Sequence, residues 1–408
     1  MRKNEIINTF TFPDKPSSDG YYHLNVKDNT KKSGRTQLKA KTLDELKEKA
    51  FMYECGQKNI IRKRFENVFE MTMDSKLKYI KDKAKLASRQ NTISRYRNDY
   101  IRFIRDTWFS SLFIDEISRR DIERLIDKIC KEKDVKPRAL QGLCTVLSMT
   151  FSFAYREELI PDNPYQKVNL AQFKDVLDDT SDVRERLHSQ EEIDGIHEKL
   201  MDRQAKHPDY IPAYALEFQM LIKARRGEIP PLMWSDIHDD VSTPFIQISR
   251  ELITVKKGPV TEKEYFLISD YTKTHRDRRY PVTDDMKRFL EKLRKVHEQY
   301  HLNSVYLFPA ETPTGTITNN TVYNLYRRIC KELSIPISRE LMRGPHSFRR
   351  NGITDFVNNG GDLMTASQLY GNSPVVARKN YYTGLDMENA LRIIEKCNEK
   401  KTGQTVII

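Results

Sequence analysis

The chain has 408 residues, 31% of them charged, with a formal net charge of +12 and an isoelectric point near 9.2. That length allows two or three domains with real cores, and the positive balance favours a polyanionic partner, nucleic acid ahead of membrane. No apolar run approaches the ~20 residues that cross a bilayer, and the opening MRKNEIINTFTFPDK lacks the apolar middle of a signal peptide, so a cytoplasmic protein without membrane association is expected.

Residues 1–62 read as a small α+β unit. Tyr21, His23, Asn25 and Lys27 alternate with Tyr22, Leu24 and Val26, the period of a half-exposed strand. A basic turn (28–35) and a second strand (36–41) follow. Thr42-x-x-Glu45 then opens a helix running to about Gln57. Lys27, Lys31, Lys32 and Arg35 form a basic tip suited to a phosphate backbone, or simply a solvated hairpin. Residues 63–172 read as nearly all helix. Arg95, Arg97 and Arg102 are interleaved with Tyr96, Tyr100, Phe103 and Ile104, as in a basic helical bundle able to bind DNA. Ser118-x-x-Asp121 caps a further helix, and an apolar helix over 143–160 is ended by Pro161 and Pro164. The polar stretch 173–187 is the expected linker.

Beyond residue 188 the pattern is mixed. Ser189-x-x-Glu192 caps a helix. Residues 210–237 predict an apolar helix, a basic break and a second short helix. Strands are expected over 245–253, 264–274 and 278–283, and helices over 284–300 and 318–333. Pro345 suits a helix start, and His346 and Arg349, three residues apart, share one helical face, where an imidazole and a planar guanidinium suit a phosphate. Tyr381 and Tyr382 in basic surroundings are candidate oxygen nucleophiles. Cys55, Cys130, Cys144, Cys330 and Cys397 show neither a disulfide framework nor metal-ligand spacing, so reduced thiols, no metal and no cofactor are expected.

Four separated segments then resemble one family. ARRGEIPPLMWSDI, TKTHRDRRYPV, GPHSFRR and LYGNSPVVARKNYYT are similar, in this order, to the signatures of the tyrosine recombinases, the phage integrase family. The resemblance covers about residues 60–385. It implies a multidomain chain: an α+β arm-binding domain (1–62), an all-α core-binding domain (63–172), a linker (173–187), a mixed, mainly α catalytic domain with a small antiparallel β-hairpin sheet (188–385), and a C-terminal helix and tail (386–408) that packs in cis or on a neighbouring protomer. It also implies roles. Arg225 and Arg349 would clamp the scissile phosphate, Lys273 would protonate the departing 5′-oxygen, and His346 would assist proton transfer at the nucleophile. Where the family usually has His or Trp, this chain has Asn372, which can donate a hydrogen bond but carries no charge; a positioning role is expected. Register from Asn372 favours Tyr381 as the nucleophile, with Tyr382 the alternate.

The expected activity is site-specific recombination through a 3′-phosphotyrosine, without metal or ATP, by the integrase or transposase of a mobile element. The expected partners are double-stranded DNA at element ends and target sites, further copies forming a dimer to tetramer, and an accessory bending or directionality protein. Type IB topoisomerase-like nicking, or a basic DNA-binding regulator with a degenerate site, are the competing readings.

Overall fold

A computed structural model describes residues 7–28, 31, 33–57, 62–132, 135–177, 184–257, 262–273, 277–337, 343–381, 390–391 and 394–395. The chain forms two compact units, one of residues 1–81 and 89–179, the other of 82–88 and 180–408.

In the first unit β1 (Tyr22–Lys27) and β2 (Arg35–Ala40) pair antiparallel, from Tyr22 opposite Ala40 to Lys27 opposite Arg35. The alternation turns Leu24 and Val26 inward against Leu46 and Ala50 of α1 (Leu43–Gln57), whose start is capped by Thr42 Oγ1 accepting the Glu45 N–H at 3.2 Å. The helices α2 (Phe65–Ser75), α3 (Lys83–Phe103, its residues up to 88 counted with the second unit), α4 (Arg119–Glu132) and α5 (Pro137–Arg156) follow. Aromatic pairs hold them: Phe65 meets Phe109 edge-on at 5.0 Å, and Phe69 stacks on Tyr100 at 4.3 Å. The α4 cap expected at Ser118 is present, with Ser118 Oγ accepting the Asp121 N–H at 3.3 Å. The apolar helix expected over 143–160 runs instead over 137–156. Pro137 fits the first helical turn, and the left-handed Glu158 (φ 56°) ends the run before the following prolines.

The second unit is built around α7 (Ile211–Ile222), buried on nearly every side. Packed with it are α6 (Gln190–Lys206), capped by the Ser189–Glu192 box, α8 (Asp284–Gln299) and α9 (Asn319–Glu332). The second short helix expected after α7 reduces to 3-10 turns at Arg226–Glu228 and Trp234–Asp236, because Pro230 and Pro231 remove the donors an α-helix needs.

The strand expected over 245–253 is two strands in two sheets. β3 (Ile237–His238), β4 (Phe245–Ile248) and β7 (Arg278–Pro281) form one, in the order β3-β4-β7. β5 (Glu251–Val255) and β6 (Tyr265–Ser269) form the other. The break falls at Arg250, whose guanidinium turns onto Asp236 (2.6 Å to Oδ1). β6 stops at Ser269 because the Ser269 hydroxyl accepts the Tyr271 N–H (3.2 Å) and donates to the Tyr271 carbonyl (2.8 Å), closing a turn. Three helices end the described fold: α10 (His346–Asn358), α11 (Leu363–Tyr370) and α12 (Pro374–Tyr381). The architecture is mostly helical with small antiparallel sheets. Among the described residues no helix is long and apolar enough to cross a membrane.

Candidate active site

Arg225 follows the C-terminus of α7, where Lys223 turns the chain through a left-handed conformation (φ 52°). The next turn folds Glu228 back: its carboxylate accepts the Arg225 N–H at 2.7 Å and the Arg225 guanidinium at 2.9 Å. Arg278 of β7 holds the same carboxylate with both Nη atoms, at 2.8 Å for Nη1 on Oε1. Glu228 is wholly buried. Burial by itself would raise its pKa, but Arg278 beside it, then Arg349 and Arg225, outweigh that and hold it at about 2. The single carboxylate therefore stays ionised. Three guanidiniums around one carboxylate leave two net positive charges, a field suited to an anion. Gly227 lets β5 pack directly on this turn, since a Cβ there would lie 3.1 Å from the Leu252 carbonyl.

The second group stands on α10. Arg343, just before it, ion-pairs with Glu192 and donates to His188 Nδ1 at 3.1 Å. The Asn351 amide clasps the backbone of His188, accepting its N–H (3.1 Å) and donating to its carbonyl (2.7 Å). These bonds fix the helix that presents His346 and Arg349 on one face. Arg349 is fully buried; its Nη1 reaches the Lys223 carbonyl at 3.5 Å and its Nη2 the Asn372 Oδ1 at 3.3 Å. His346 is pushed down to about 3, first by the protein packed around it and then by Arg350, Arg349 and Arg225. The ring still has an exposed side, which weakens the first cause and leaves the guanidiniums as the firmer one. The imidazole is thus neutral near pH 7.

Asn372 ties the two groups together. Gly371 ends α11 in a left-handed turn (φ 64°) and offers its carbonyl to Arg225 Nη2 at 2.5 Å. The Asn372 Oδ1 accepts from Arg225 Nη2 at 3.0 Å and from Arg349 Nη2 at 3.3 Å. This network assigns the amide orientation and points its NH2 the other way, where the buried Nδ2 has no hydrogen-bond partner among the described residues. A neutral carbonyl bridging two cations is something an imidazolium would not provide.

Lys273 is exposed on the loop after β6. Glu251 of β5 lies within electrostatic reach of Lys273 and Arg225. Burial, then the charge of Glu228, raises the Glu251 carboxyl above the usual range, against the pull of Lys273 and Arg225. Tyr381 is the last residue of α12; its side chain, and the whole of Tyr382, lie outside the described residues.

The phage integrase family profile matches residues 190–389, which include Arg225, Lys273, His346, Arg349 and Asn372. That segment is a phage integrase family domain. The recombinase is 23% identical over 394 residues to the XerC-like tyrosine recombinase of Caldanaerobacter subterraneus subsp. tengcongensis, a match covering 93% of this chain and 96% of that one. Among solved structures, the integrase of transposon Tn1549, in complex with transposon right end DNA, matches 82% of this chain and 99% of its own at a TM-score of 0.57 and 16% identity. Lambda integrase, as a tetramer on a Holliday junction, matches 91% and 95% at 0.54 and 14%. XerH on palindromic difH substrate matches 83% and 97% at 0.56 and 13%. At such identities the structural likeness establishes the fold of the recombinase.

The basic positions singled out from the sequence of the recombinase are spread along the first unit. Lys27, Lys31 and Arg35 are exposed at the β1–β2 turn, while Lys32 lies outside the described residues. Arg95 and Arg102 are exposed on α3, lying over the rings of Tyr96 (5.2 Å) and Phe103 (4.8 Å). Arg97 is engaged by Glu70 at 2.6 Å and Asp74 at 3.7 Å. Sequence reasoning missed Arg278, Glu251 and Arg350 as neighbours of the site. Arg278 stands in the Arg-x-x-Pro of a quoted segment, so its signal was present; Glu251 carried none, since only the fold of β5 onto the Arg225 turn brings it near.

Proposed function

We propose that this recombinase cuts and rejoins DNA at specific sites through a tyrosyl phosphate, as the integrase or transposase of a mobile element. The observation that carries the reading is the Asn372 carbonyl held between Arg225 and Arg349, beside a neutral His346, on the segments that match the family. In this scheme the two guanidiniums take up charge on the non-bridging oxygens of one phosphodiester. The tyrosine oxygen attacks phosphorus, its proton passing to His346, and the bond to the 5′-oxygen breaks as that oxygen takes a proton from Lys273. The 3′-phosphotyrosine keeps the bond energy, so the reverse attack reseals the strand without ATP. Asn372 holds the guanidiniums in register and offers its amide N–H to the phosphate.

The likeness to proteins solved on transposon-end DNA, and to lambda integrase solved as a DNA-bound tetramer, supports double-stranded DNA as substrate and assembly of further copies on it. On this reading the layout is the one expected from the sequence: arm binding by 1–62, core-site binding by 63–172, catalysis by 188–385 and contact between protomers through 386–408.

A nicked suicide substrate tests the reading, with the covalent protein–DNA adduct as readout. Wild type is expected to form the adduct, and either Tyr381→Phe or Tyr382→Phe to abolish it, with Tyr381→Phe favoured by register. An adduct surviving both single changes removes the assignment of the nucleophile, and its absence from wild type leaves a DNA-binding regulator.

A further inference from the structure

Lys273 has a long, flexible side chain at an exposed position, so its use as a proton donor depends on how firmly the backbone beneath it is held. Three attachments converge there, all within the second unit. The β5–β6 ladder closes with Glu251 opposite Ser269, and the Ser269 hydroxyl shapes the turn into Tyr271. The Tyr271 hydroxyl then donates to Asp82 Oδ1 at 2.6 Å, across 189 residues of chain. Asp82 is itself fixed, because it caps α3: its Oδ1 accepts the Lys85 N–H at 2.6 Å and its carbonyl accepts the Leu86 N–H at 2.9 Å. The first turns of α3 are seated by Ala84 and Ala87 packing with Ile253 and Val255, against Leu267 and Tyr271. Thr272, between Tyr271 and Lys273, is completely buried, and Glu251 lies within electrostatic reach of Lys273. Tyr271 and Thr272 are thus both held just before the chain reaches Lys273.

We propose that Tyr271, latched onto Asp82, is a positioning residue that aims Lys273 at the departing 5′-oxygen. A hydroxyl–carboxylate bond at a partly exposed site adds little to the stability of a domain this size. Its consequence falls on where the two following residues point. The inference rests on Lys273 being the proton donor.

A leaving group that needs no proton separates this role from a structural one. Adduct formation by the full-length chain is measured on a suicide substrate with the ordinary 5′-oxygen, and on the same DNA with sulfur at that bridging position, since a thiolate departs unprotonated. Tyr271→Phe, which removes only the hydroxyl, is expected to slow adduct formation about tenfold on the oxygen substrate and to match wild type within about twofold on the sulfur one. Asp82→Ala, which removes the acceptor of the Tyr271 hydroxyl, is expected to show the same pattern, and serves alone if the Tyr271 variant fails to fold. Equal slowing on both substrates, or on neither, overturns the proposal. Lys273→Ala in parallel tests what lies beneath it. If sulfur does not restore Lys273→Ala, the proton-donor reading fails and takes this inference with it. If sulfur restores Lys273→Ala but not Tyr271→Phe, the reading stands and the latch is refuted.

Discussion

At Glu228 the outcome of a competition between burial and charge is visible. A lone carboxylate this deep would be driven neutral, yet Arg278, Arg349 and Arg225 keep it ionised. Its folded pKa, about 2, lies below the ordinary 4.5, so the unfolded chain binds that proton more readily. Its contribution is therefore complete above the ordinary value and is lost as pH falls from about 4.5 toward 2. Glu228→Gln strands two guanidiniums and should cost on the order of 3 kcal/mol near neutrality. In denaturant melts the gap between wild type and Glu228→Gln should narrow steadily below pH 4.5; a gap independent of pH would contradict the ion-pair account. His346 carries the opposite kind of test. In the free protein its imidazole should remain neutral at pH 5.5 in an NMR titration, because burial and then the surrounding guanidiniums hold its value near 3. A midpoint close to the ordinary 6.5 would mean neither acts on it.

The elements matter here for how closely they approach one another. α10 reaches Lys223 at Gly352: a Cβ there would lie 2.6 Å from Lys223 Cγ and 3.2 Å from the Tyr370 hydroxyl oxygen. The same Lys223 presents its carbonyl to Arg349, three residues earlier on that helix. Gly352→Ala gains up to about 1 kcal/mol of helix propensity but overpacks a tight contact, which costs about 1–3 kcal/mol. The balance should lower the melting temperature and, by tilting α10, slow adduct formation; an unchanged melt with full activity would show that Lys223 simply moves aside. The strand pattern shows why some elements were legible and others were not. α8 and α9 fall within a residue of expectation, and α6 begins at its expected cap, because caps and sustained apolar stripes are local signals. The stretch 245–253 alternates without interruption, and nothing local announces that Arg250 will be drawn to Asp236 and split it between two sheets.

For the molecule as a whole, the net charge of +12 makes DNA binding salt-dependent, and each phosphate contact removed should flatten the logarithmic salt slope by about 1. Arg95→Ala and Arg102→Ala, whose guanidiniums lie on exposed parts of α3, should each do so in an anisotropy titration. Arg97→Ala should flatten it less, because Glu70 and Asp74 already engage that side chain. If Arg97→Ala has the largest effect of the three, that ion pair opens on DNA and the free-state geometry misleads. The residue types and their order, from Arg225 through Lys273 and His346–Arg349 to Asn372 and the paired tyrosines, were set by the sequence alone, since chemical identity and helical spacing are local properties. Tertiary structure alone decided that Glu228 serves two arginines, that the Asn372 carbonyl bridges Arg225 and Arg349, and that Tyr271 meets Asp82. Each of those bonds depends on a partner brought in by the packing of other elements, in two cases from more than a hundred residues away, and a charge's neighbours, unlike its chemistry, exist only once the chain has folded.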